Sequence, residues 1–387
     1  MNKPLPAVGE IKEFFPKHRI CVVKVFLLLL NCVIQSGTVN LNKCRVKAGI
    51  VTGEPDLKLS SVYTRLIRFF NMGNRDAFCF GITLLILSIT QLSGTCYLVI
   101  DRTNWEIGGQ SVNVLCLGLL LPNGIFIPII CENLNKKGNS CARERKDLLE
   151  RFQKAWPEGR KCRLVLLGDR EFVGLNFFVW LTKNDLSFVI RSRWGDYFGQ
   201  LAAALDLTTD KLQSKIKQSV GEKGFFQSAF EYEEQKFWFT VFPNSAKRKP
   251  KNERKVGDDY VVLVSDQSRA DKIGDDYRKR WGIEVFFRHA KTNGLNLEDA
   301  NFKEREKIQL LVGVIALAYC LSIREGLIRE QKKPPETKKH GAKAVSTFRN
   351  GYDNLAKRIY RFKNLVKLII KLIVKVQIAE PPNLKSV

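Results

Sequence analysis

The chain has 387 residues, of which 45% are hydrophobic, and its 64 lysines and arginines against 39 acidic residues give a formal net charge of +25. This length and apolar content exclude a disordered chain and are sufficient for two or three domains with cores of their own. The excess of positive charge favours a polyanionic partner, and nucleic acid above others, over a neutral ligand.

Residues 1–94 are predicted to form a helical N-terminal DNA-binding domain. Its apolar runs, Val25–Val33 and Phe78–Leu87, are shorter than the roughly 20 residues that span a bilayer. They therefore predict buried helices, and the chain is expected to have no membrane partner.

One helix of this region carries features of a DNA-reading helix. It begins near Ser60 with capping-type residues and presents Tyr63, Arg65 and Arg68 beside an apolar stripe. Such a helix can enter a major groove. An ordinary helix of a bundle is the equal alternative.

Residues 95–192 change to the period of β-strands. Their predicted order, βββαβαβ, matches the start of the RNase H-like fold, an α/β architecture with a mixed five-stranded sheet whose first three strands are antiparallel. The predicted strands are Thr95–Asp101, Val112–Leu121, Ile125–Cys131, Cys162–Asp169 and Ser187–Arg191, and the predicted helices are Ser140–Trp156 and Phe172–Thr182.

Residues 193–269 are predicted to be a β-rich insertion into that fold. Three segments alternate between apolar and polar residues as strands do: Phe225–Tyr232, Lys236–Phe242 and Asp259–Val264. The run Lys247–Lys255 carries six cations in nine residues and predicts a basic, mobile hairpin or loop.

Residues 270–330 contain the most informative spacing in the chain. On a helix that turns by about 100° per residue, the polar residues of this stretch fall on one narrow stripe and the apolar residues on the opposite side. The stripe places one carboxylate among cations, which suits a polyanion, although an amphipathic core helix with a basic outer face is the plain alternative. The stripe consists of Tyr277, Arg280, Glu284, Arg288 and Lys291, and the apolar side of Ile283, Phe286, Phe287 and Ala290.

Residues 331–387 are predicted to be a basic, helical C-terminal region. A Pro- and Lys-rich linker precedes a helix with lysines at every fourth position from Lys363 to Lys375 and a broad apolar surface between them. This helix is expected to pack in a helical unit or against a second protomer, with contact to a membrane surface as the less favoured alternative.

Two of the predicted strands end in an acid, Asp101 and Asp169, and Glu284 lies on the striped helix. An acid at the end of a buried strand is costly unless it faces a cleft and has a partner. Three converging carboxylates repel one another, and a divalent cation removes that repulsion. Oxygen ligands without cysteine or histidine suit Mg²⁺ or Mn²⁺. Each aspartate alone is more commonly a turn or capping residue.

The spacing Y-x2-R-x3-E-x6-K, from Tyr277 to Lys291, resembles the signature of DDE transposases of bacterial insertion sequences, in the branch named for its Y, R, E and K (the insertion sequence family four type). The contexts Ile-Asp101-Arg-Thr-Asn-Trp and Gly-Asp169-Arg-Glu-Phe resemble the first two motifs of that family. The resemblance implies one catalytic core in two parts, on either side of the insertion.

The resemblance also implies roles for individual residues. The three acids would bind two Mg²⁺ or Mn²⁺ ions. Arginines, lysines and a tyrosine would contact DNA phosphates, and a tryptophan would stack on a flipped base, with ordinary packing as the alternative for each tryptophan. The expected metal ligands are Asp101, Asp169 and Glu284, and the resemblance implies phosphate contacts for Tyr277, Arg280 and Lys291. Further candidate DNA contacts by position are Arg288 on the stripe and, more weakly, Arg170 and Arg193, and the candidate stacking residues are Trp194 and Trp238.

The expected function is therefore cut-and-paste DNA transposition. The protein would bind terminal inverted repeats of double-stranded DNA as a homodimer, cleave each end through hairpins and join 3′ ends to target DNA. It would be a cytoplasmic, nucleoid-associated bacterial protein. The alternatives are a stand-alone RNase H-like nuclease, a DNA-binding derivative that has lost catalysis, and a membrane-associated basic protein.

Ten cysteines are scattered along the chain, and none forms a C-x-x-C pair. With only three histidines, the spacing of a zinc site is absent. The cysteines are expected to be reduced, mostly buried, small apolar residues, as in other cytoplasmic proteins.

Overall fold

The computed structural model describes residues 6–92, 94–157, 162–244, 256–292, 294–339 and 343–379. Within these residues, eight strands form a single mixed sheet. The strands are β1 (Thr95–Ile107), β2 (Gln110–Leu120), β3 (Phe126–Leu134), β4 (Arg163–Gly168), β5 (Ser187–Ser192), β6 (Phe226–Tyr232), β7 (Gln235–Pro243) and β8 (Tyr260–Ser265).

Of the α-helices in the described residues, five precede the first strand, four lie between strands and five follow the last strand. They are α1 (Pro6–Lys12), α2 (Ile20–Ser36), α3 (Leu41–Thr52), α4 (Leu59–Phe70), α5 (Arg75–Ile89), α6 (Ala142–Ala155), α7 (Leu175–Lys183), α8 (Phe198–Ala204), α9 (Thr209–Lys223), α10 (Ala270–Arg278), α11 (Gly282–Lys291), α12 (Arg305–Lys332), α13 (Thr347–Arg358) and α14 (Phe362–Ala379). Several begin at a residue whose side chain accepts hydrogen bonds from free backbone N–H groups, namely Asn40, Thr208 and Ser346 for α3, α9 and α13.

The strand order is β3-β2-β1-β4-β5-β8-β7-β6. The strands β1, β2 and β3 are antiparallel neighbours, whereas β4 and β5 run parallel to β1. This is the mixed five-stranded arrangement that the sequence predicts for an RNase H-like core, and the prediction of fold class is confirmed.

The sheet has three strands more than predicted. The strand β8 pairs antiparallel with β5, and β7 and β6 follow in order. These strands come from residues 193–269, which also contain α8 and α9, and they extend the sheet at the edge that β5 would otherwise leave unpaired. The basic run Lys247–Lys255 lies outside the described residues.

The helix α12 is the central helix of the core. By length and composition it could cross a membrane, yet 72% of its most apolar window is buried inside the structure. It packs against β3 and against α2, α5 and α13, and a helix that is apolar all round is typical of such a buried position. The pairs α2–α3 and α4–α5 are long and apolar enough to cross a membrane only when the two helices of each pair are counted as one span. The helices of these pairs bend by 103° and 94° at the break between them.

Helices from the two ends of the chain pack together. The helix α14 contacts α1, α2 and α5 through buried residues such as Leu365 and Ile369, while Lys363 and Lys367 are exposed. The buried side chain of Asn31 in α2 donates a hydrogen bond to the carbonyl oxygen of Ile359, at 2.9 Å. The side chain of Lys375, the last lysine of the stripe, lies outside what the structure describes.

The cysteines are free thiols with one exception among the described residues. Cys116 and Cys131 stand directly opposite each other on β2 and β3 and form a disulfide. The other eight are free. The expectation of reduced cysteines is therefore wrong for this pair, because the register of the consecutive strands β2 and β3 places the two side chains opposite each other.

Candidate active site

Asp101 and Asp169 are neighbours on adjacent parallel strands. Ile100 of β1 pairs in register with Gly168 of β4, so the two aspartates that follow these residues stand at the same level of the sheet. Asp169 is the first residue after β4, as predicted, whereas β1 continues beyond Asp101 to Ile107. Both aspartates are half-buried.

The striped helix is formed by α10 and α11 with a tighter turn between them. Residues Lys279–Trp281 adopt a 3-10 helix, and the backbone angles of Arg278, Lys279, Trp281 and Gly282 all stay in the right-handed helical region. The helical path therefore continues through the break. The predicted apolar face is buried at Ile283, Phe286 and Ala290, while Phe287 is half-buried against Trp105.

Direct contacts join the three acids to two residues of the striped helix. The guanidinium of Arg280 donates from Nη1 to Oδ2 of Asp101 at 2.5 Å and from Nη2 to Oε1 of Glu284 at 2.7 Å. The hydroxyl of Tyr277 donates to Oδ1 of Asp169 at 3.4 Å. The structure thus brings Asp101, Asp169, Glu284, Tyr277 and Arg280 into one cluster.

The electrostatics of the cluster reflect crowded acids in a partly buried place. Burial raises the pKa of Asp101 to about 6, and Asp169 and Glu284 add to the rise, while Arg280 and the backbone N–H of Arg102 oppose it. Burial also raises the pKa of Tyr277 to about 12. For Arg280, burial lowers the pKa, but Asp101, Tyr277, Asp169 and Glu284 raise it by more, so its guanidinium stays charged.

The donor set fits a hard divalent cation, because three carboxylates with no cysteine or histidine are the ligands that Mg²⁺ and Mn²⁺ prefer. Their present arrangement contains a cation of the protein's own, since Arg280 bridges Asp101 and Glu284. Within the described residues, no group of three or more Asp, Glu, His or Cys side chains is close enough to hold a metal ion. The residue types therefore fit a divalent cation, but their present spacing does not, with Arg280 bound to two of the three carboxylates.

The other two cations of the stripe lie toward the end of α11. Lys291 forms an ion pair with Glu298 at 3.1 Å, and the same carboxylate accepts a hydrogen bond from the backbone N–H of Glu106 in β1. Arg288 is exposed. These contacts hold the end of α11 beside the extension of β1.

Arg170 and Arg193, two further predicted contacts, differ in their surroundings. Arg170 follows Asp169 directly, and its Nε is buried without a hydrogen-bond partner. Arg193 is exposed, and its backbone N–H donates to Oδ2 of Asp196 at 2.9 Å.

The two predicted stacking residues are half-buried. Trp194 already stacks on Tyr260, with ring centroids 4.6 Å apart. Trp238 lies on β7, two strands away from β5, with Nζ of Lys236 5.2 Å from its ring centroid. By contrast Trp281, which sequence reasoning did not select, is 56% exposed and follows Arg280 directly.

A further arginine near the cluster was also missed. In the register of β4 and β5, Gly168 pairs with Ile190, so Arg191 stands next to Asp169 at the same level of the sheet. Its Nε is buried without a hydrogen-bond partner, and its charge lowers the pKa of Tyr277. The sequence pattern predicts the strand that carries Arg191, but it does not predict the register with β4 that places Arg191 beside Asp169.

Glu171, the acid nearest to Asp169 in sequence, is held away from the cluster. Its Oε1 accepts hydrogen bonds from the backbone N–H and the hydroxyl of Ser140, both at 2.7 Å, and its Oε2 forms an ion pair with Arg102 at 3.0 Å. Glu171 is therefore a structural residue that fixes the loop before α6.

The chain is similar in structure to a piggyBac transposase, solved by cryo-EM as a synaptic complex with hairpin DNA, with a TM-score of 0.45 and 12% sequence identity over 95% of this chain and 78% of that one. No curated protein matches the chain. The family model described as "Transposase DDE domain" matches residues 93–321, well over half of the chain and the whole span from β1 to the middle of α12. The chain therefore belongs to the family of transposases with a DDE domain.

Proposed function

We propose that the protein catalyses cut-and-paste transposition of an insertion sequence by metal-dependent cleavage and strand transfer at terminal inverted repeats. The observation that carries this proposal is the cluster of Asp101, Asp169 and Glu284, acids from two strands and a helix that Arg280 and Tyr277 connect. The three acids come from distant parts of the chain and meet only through the fold.

Asp101, Asp169 and Glu284 are the proposed ligands of two Mg²⁺ or Mn²⁺ ions. Such ions activate a water or a 3′-hydroxyl and stabilise the leaving oxygen of a phosphodiester. The protein holds the carboxylates at the edge shared by β1, β4 and α11, where the buried face of α11 keeps Glu284 oriented toward the strands.

The surrounding cations and phenol are the proposed phosphate contacts. Arginine binds phosphate through two parallel N–H groups and lysine through a point charge. Arg191 is the best supported addition to the predicted set, because its half-buried guanidinium has an unpaired Nε beside Asp169 and Tyr277. The proposed contacts are Tyr277, Arg280, Arg288, Lys291, Arg170, Arg191 and Arg193.

The N-terminal helices are the proposed binding module for the transposon ends. On α4, Arg65 has a buried Nε without a hydrogen-bond partner, and the guanidinium of Arg45 from α3 lies 5.4 Å from the ring centroid of Tyr63. These side chains offer cations and an aromatic face together. Binding two ends at once requires at least a dimer, and we further propose a cytoplasmic, nucleoid-associated location.

Hairpin formation at the ends remains part of the proposal. A base flipped out of the duplex would stack on a tryptophan, which is worth about 1–3 kcal/mol per base. Trp194 uses one ring face on Tyr260 and Trp238 has Lys236 over its ring, so the exposed Trp281 has the most ring surface to offer of the three.

The decisive experiment incubates the purified protein with Mg²⁺ and a supercoiled plasmid that carries paired copies of the DNA flanking its own gene. Double-ended excision followed by joining supports the proposal. Cutting without joining indicates a stand-alone nuclease, and binding without cutting indicates a derivative that has lost catalysis.

Variants of the acids test the site itself. Losing a metal ligand removes several kcal/mol of transition-state stabilisation, so Asp169→Asn and Glu284→Gln should slow cleavage by at least about 100-fold and leave end binding intact. The control is Asp275→Asn, an exposed acid that pairs with Arg278 on α10. Unchanged cleavage in Asp169→Asn would remove the site assignment.

A further inference from the structure

Arg280 binds the same carboxylates that are proposed to hold the metal. Its two terminal nitrogens donate to Asp101 and Glu284, at 2.5 and 2.7 Å, and its side chain is only 12% exposed. The guanidinium thus neutralises part of an acidic cluster that would otherwise be strongly repulsive.

A guanidinium and a divalent cation compete for these oxygens. The oxygen atoms Oδ2 of Asp101 and Oε1 of Glu284 point at Arg280, and Asp169 is engaged by the hydroxyl of Tyr277. These carboxylate oxygens already accept hydrogen bonds from the N–H groups of Arg280. Both acids can therefore bind a metal fully only if Arg280 breaks these hydrogen bonds and moves away.

We propose that Arg280 closes the metal site in the DNA-free protein and that a DNA phosphate opens it by accepting the guanidinium. This inference rests on the proposed function and specifies its regulation. Metal and DNA then bind cooperatively, because each favours the position of Arg280 that the other needs.

A DNA phosphate would give Arg280 an alternative partner. Arginine binds phosphate through paired N–H groups as it binds carboxylate, so a phosphate would replace the two ion pairs that Arg280 loses on leaving the acids. The unpaired Nε of Arg191 marks the same neighbourhood, beside Asp169 and Tyr277, as short of an anion. A phosphate in that neighbourhood would satisfy both arginines.

The consequence is that the metal site stays closed until a DNA strand lies at the acids. A protein with a charge of +25 binds phosphate in many places on its surface, but only a phosphate that reaches Arg280 would open the site. This control needs no moving domain, since only one side chain changes partners.

The test measures metal binding, not turnover. Mn²⁺ is titrated into the full chain while the electron paramagnetic resonance signal of free Mn²⁺ is followed, first without DNA. We expect Arg280→Ala to bind Mn²⁺ at least about tenfold more tightly than the wild type, within the usual range of coupling between sites. Arg280→Lys keeps the charge but cannot bridge both acids, so its Mn²⁺ affinity should lie between those of the wild type and Arg280→Ala.

Arg278→Ala is the matched control. It removes one positive charge from the adjacent turn, but Arg278 is exposed and pairs with Asp275 instead of the cluster. It should bind Mn²⁺ as the wild type does. Equal gains in Arg278→Ala and Arg280→Ala would attribute the effect to net charge and overturn the proposal, as would no gain in Arg280→Ala. Thermal melting confirms that each variant is folded.

In a second experiment, a duplex copied from the DNA that flanks the gene is added to each protein. The Mn²⁺ that the same duplex binds on its own is measured separately and subtracted. The duplex should raise the Mn²⁺ affinity of the wild type by a similar factor and leave that of Arg280→Ala nearly unchanged. An equal rise in both would overturn the coupling but keep the proposed function. If neither protein binds Mn²⁺ even with duplex bound, the proposed function fails and the coupling with it.

Discussion

Asp169 and Glu171 are two residues apart, yet they have different partners. Asp169 belongs to the acidic cluster, and Glu171 is bound by Ser140 and Arg102. The 3-10 turn Arg170–Phe172 separates their directions. Proximity in sequence therefore says little about which acid performs chemistry.

This difference predicts opposite effects on stability. Glu171→Ala should lower the free energy of unfolding by about 1–3 kcal/mol, because it leaves the partly buried Arg102 and Ser140 without their shared acceptor. Asp169→Asn relieves repulsion with Asp101 and should leave stability nearly unchanged. Urea unfolding followed by circular dichroism measures both. A loss in Glu171→Ala no larger than that in Asp169→Asn would contradict this assignment.

Arg191 and Arg193 allow a similar comparison for DNA contacts. Arg191 is half-buried beside the cluster, and Arg193 is exposed beyond the end of β5. Arg191→Ala should weaken binding of the cut DNA end and reduce the slope of log affinity against log salt by about one counterion. Arg193→Ala removes the same charge and should have the smaller effect. Filter binding over a salt series distinguishes them, and equal slopes would count against a special place for Arg191.

At the scale of elements, the position of Glu284 depends on how closely the start of α11 packs against the turn between β2 and β3. A Cβ added to Gly282 would lie 2.6 Å from the carbonyl oxygen of Gly124 and 3.0 Å from Cδ2 of Leu120. The buried residues that follow, Ile283 and Phe286, anchor the helix on the sheet. The absence of a side chain at Gly282 therefore sets the distance between α11 and the strands.

This close approach predicts that Gly282→Ala displaces α11. Overpacking of this kind costs about 1–3 kcal/mol, and a shift of Glu284 should reduce cleavage more than it reduces DNA binding. Gly274→Ala in α10 is the control, because its Cβ would lie 3.4 Å from Phe242, an ordinary contact. That variant should be neutral or slightly stabilising, as alanine favours helix more than glycine does. Thermal melting and plasmid cleavage together test the pair, and equal losses would refute the role of Gly282.

For the whole molecule, the helices at both ends and the sheet share α12. It contacts β3, α2, α5 and α13, and α14 closes over α1, α2 and α5. The apolar residues that could suggest a membrane helix are used in this core. The charge is left for the surface, where Lys363, Lys367 and Lys371 are exposed.

A basic surface of this kind predicts steep salt dependence. A protein that contacts six to ten phosphates loses roughly 10³–10⁵ in affinity between about 50 and 200 mM salt, and we expect a loss in that range for duplex DNA. Fluorescence anisotropy measures it. Co-sedimentation with anionic vesicles is the parallel measurement, and strong vesicle binding without DNA, with a shallow salt slope for duplex, would favour the membrane-associated alternative.

Local patterns in the sequence were sufficient to predict the first five strands in chain order and the buried face of α11. They were also sufficient to select the acids Asp101, Asp169 and Glu284 as candidates. Such features follow from alternation, helical period and motif spacing, which depend on residues close together in the chain. The family was also accessible in this way, because four motif positions fall within one helical stretch from Tyr277 to Lys291.

Tertiary structure alone decided which side chains share partners. It extended the sheet to eight strands, placed Arg191 beside Asp169, turned Glu171 away and put Arg280 between Asp101 and Glu284. These outcomes depend on register and on competition among charges from segments far apart in the chain. A one-residue change of register reverses the face of a whole strand, so no local pattern could have contained them.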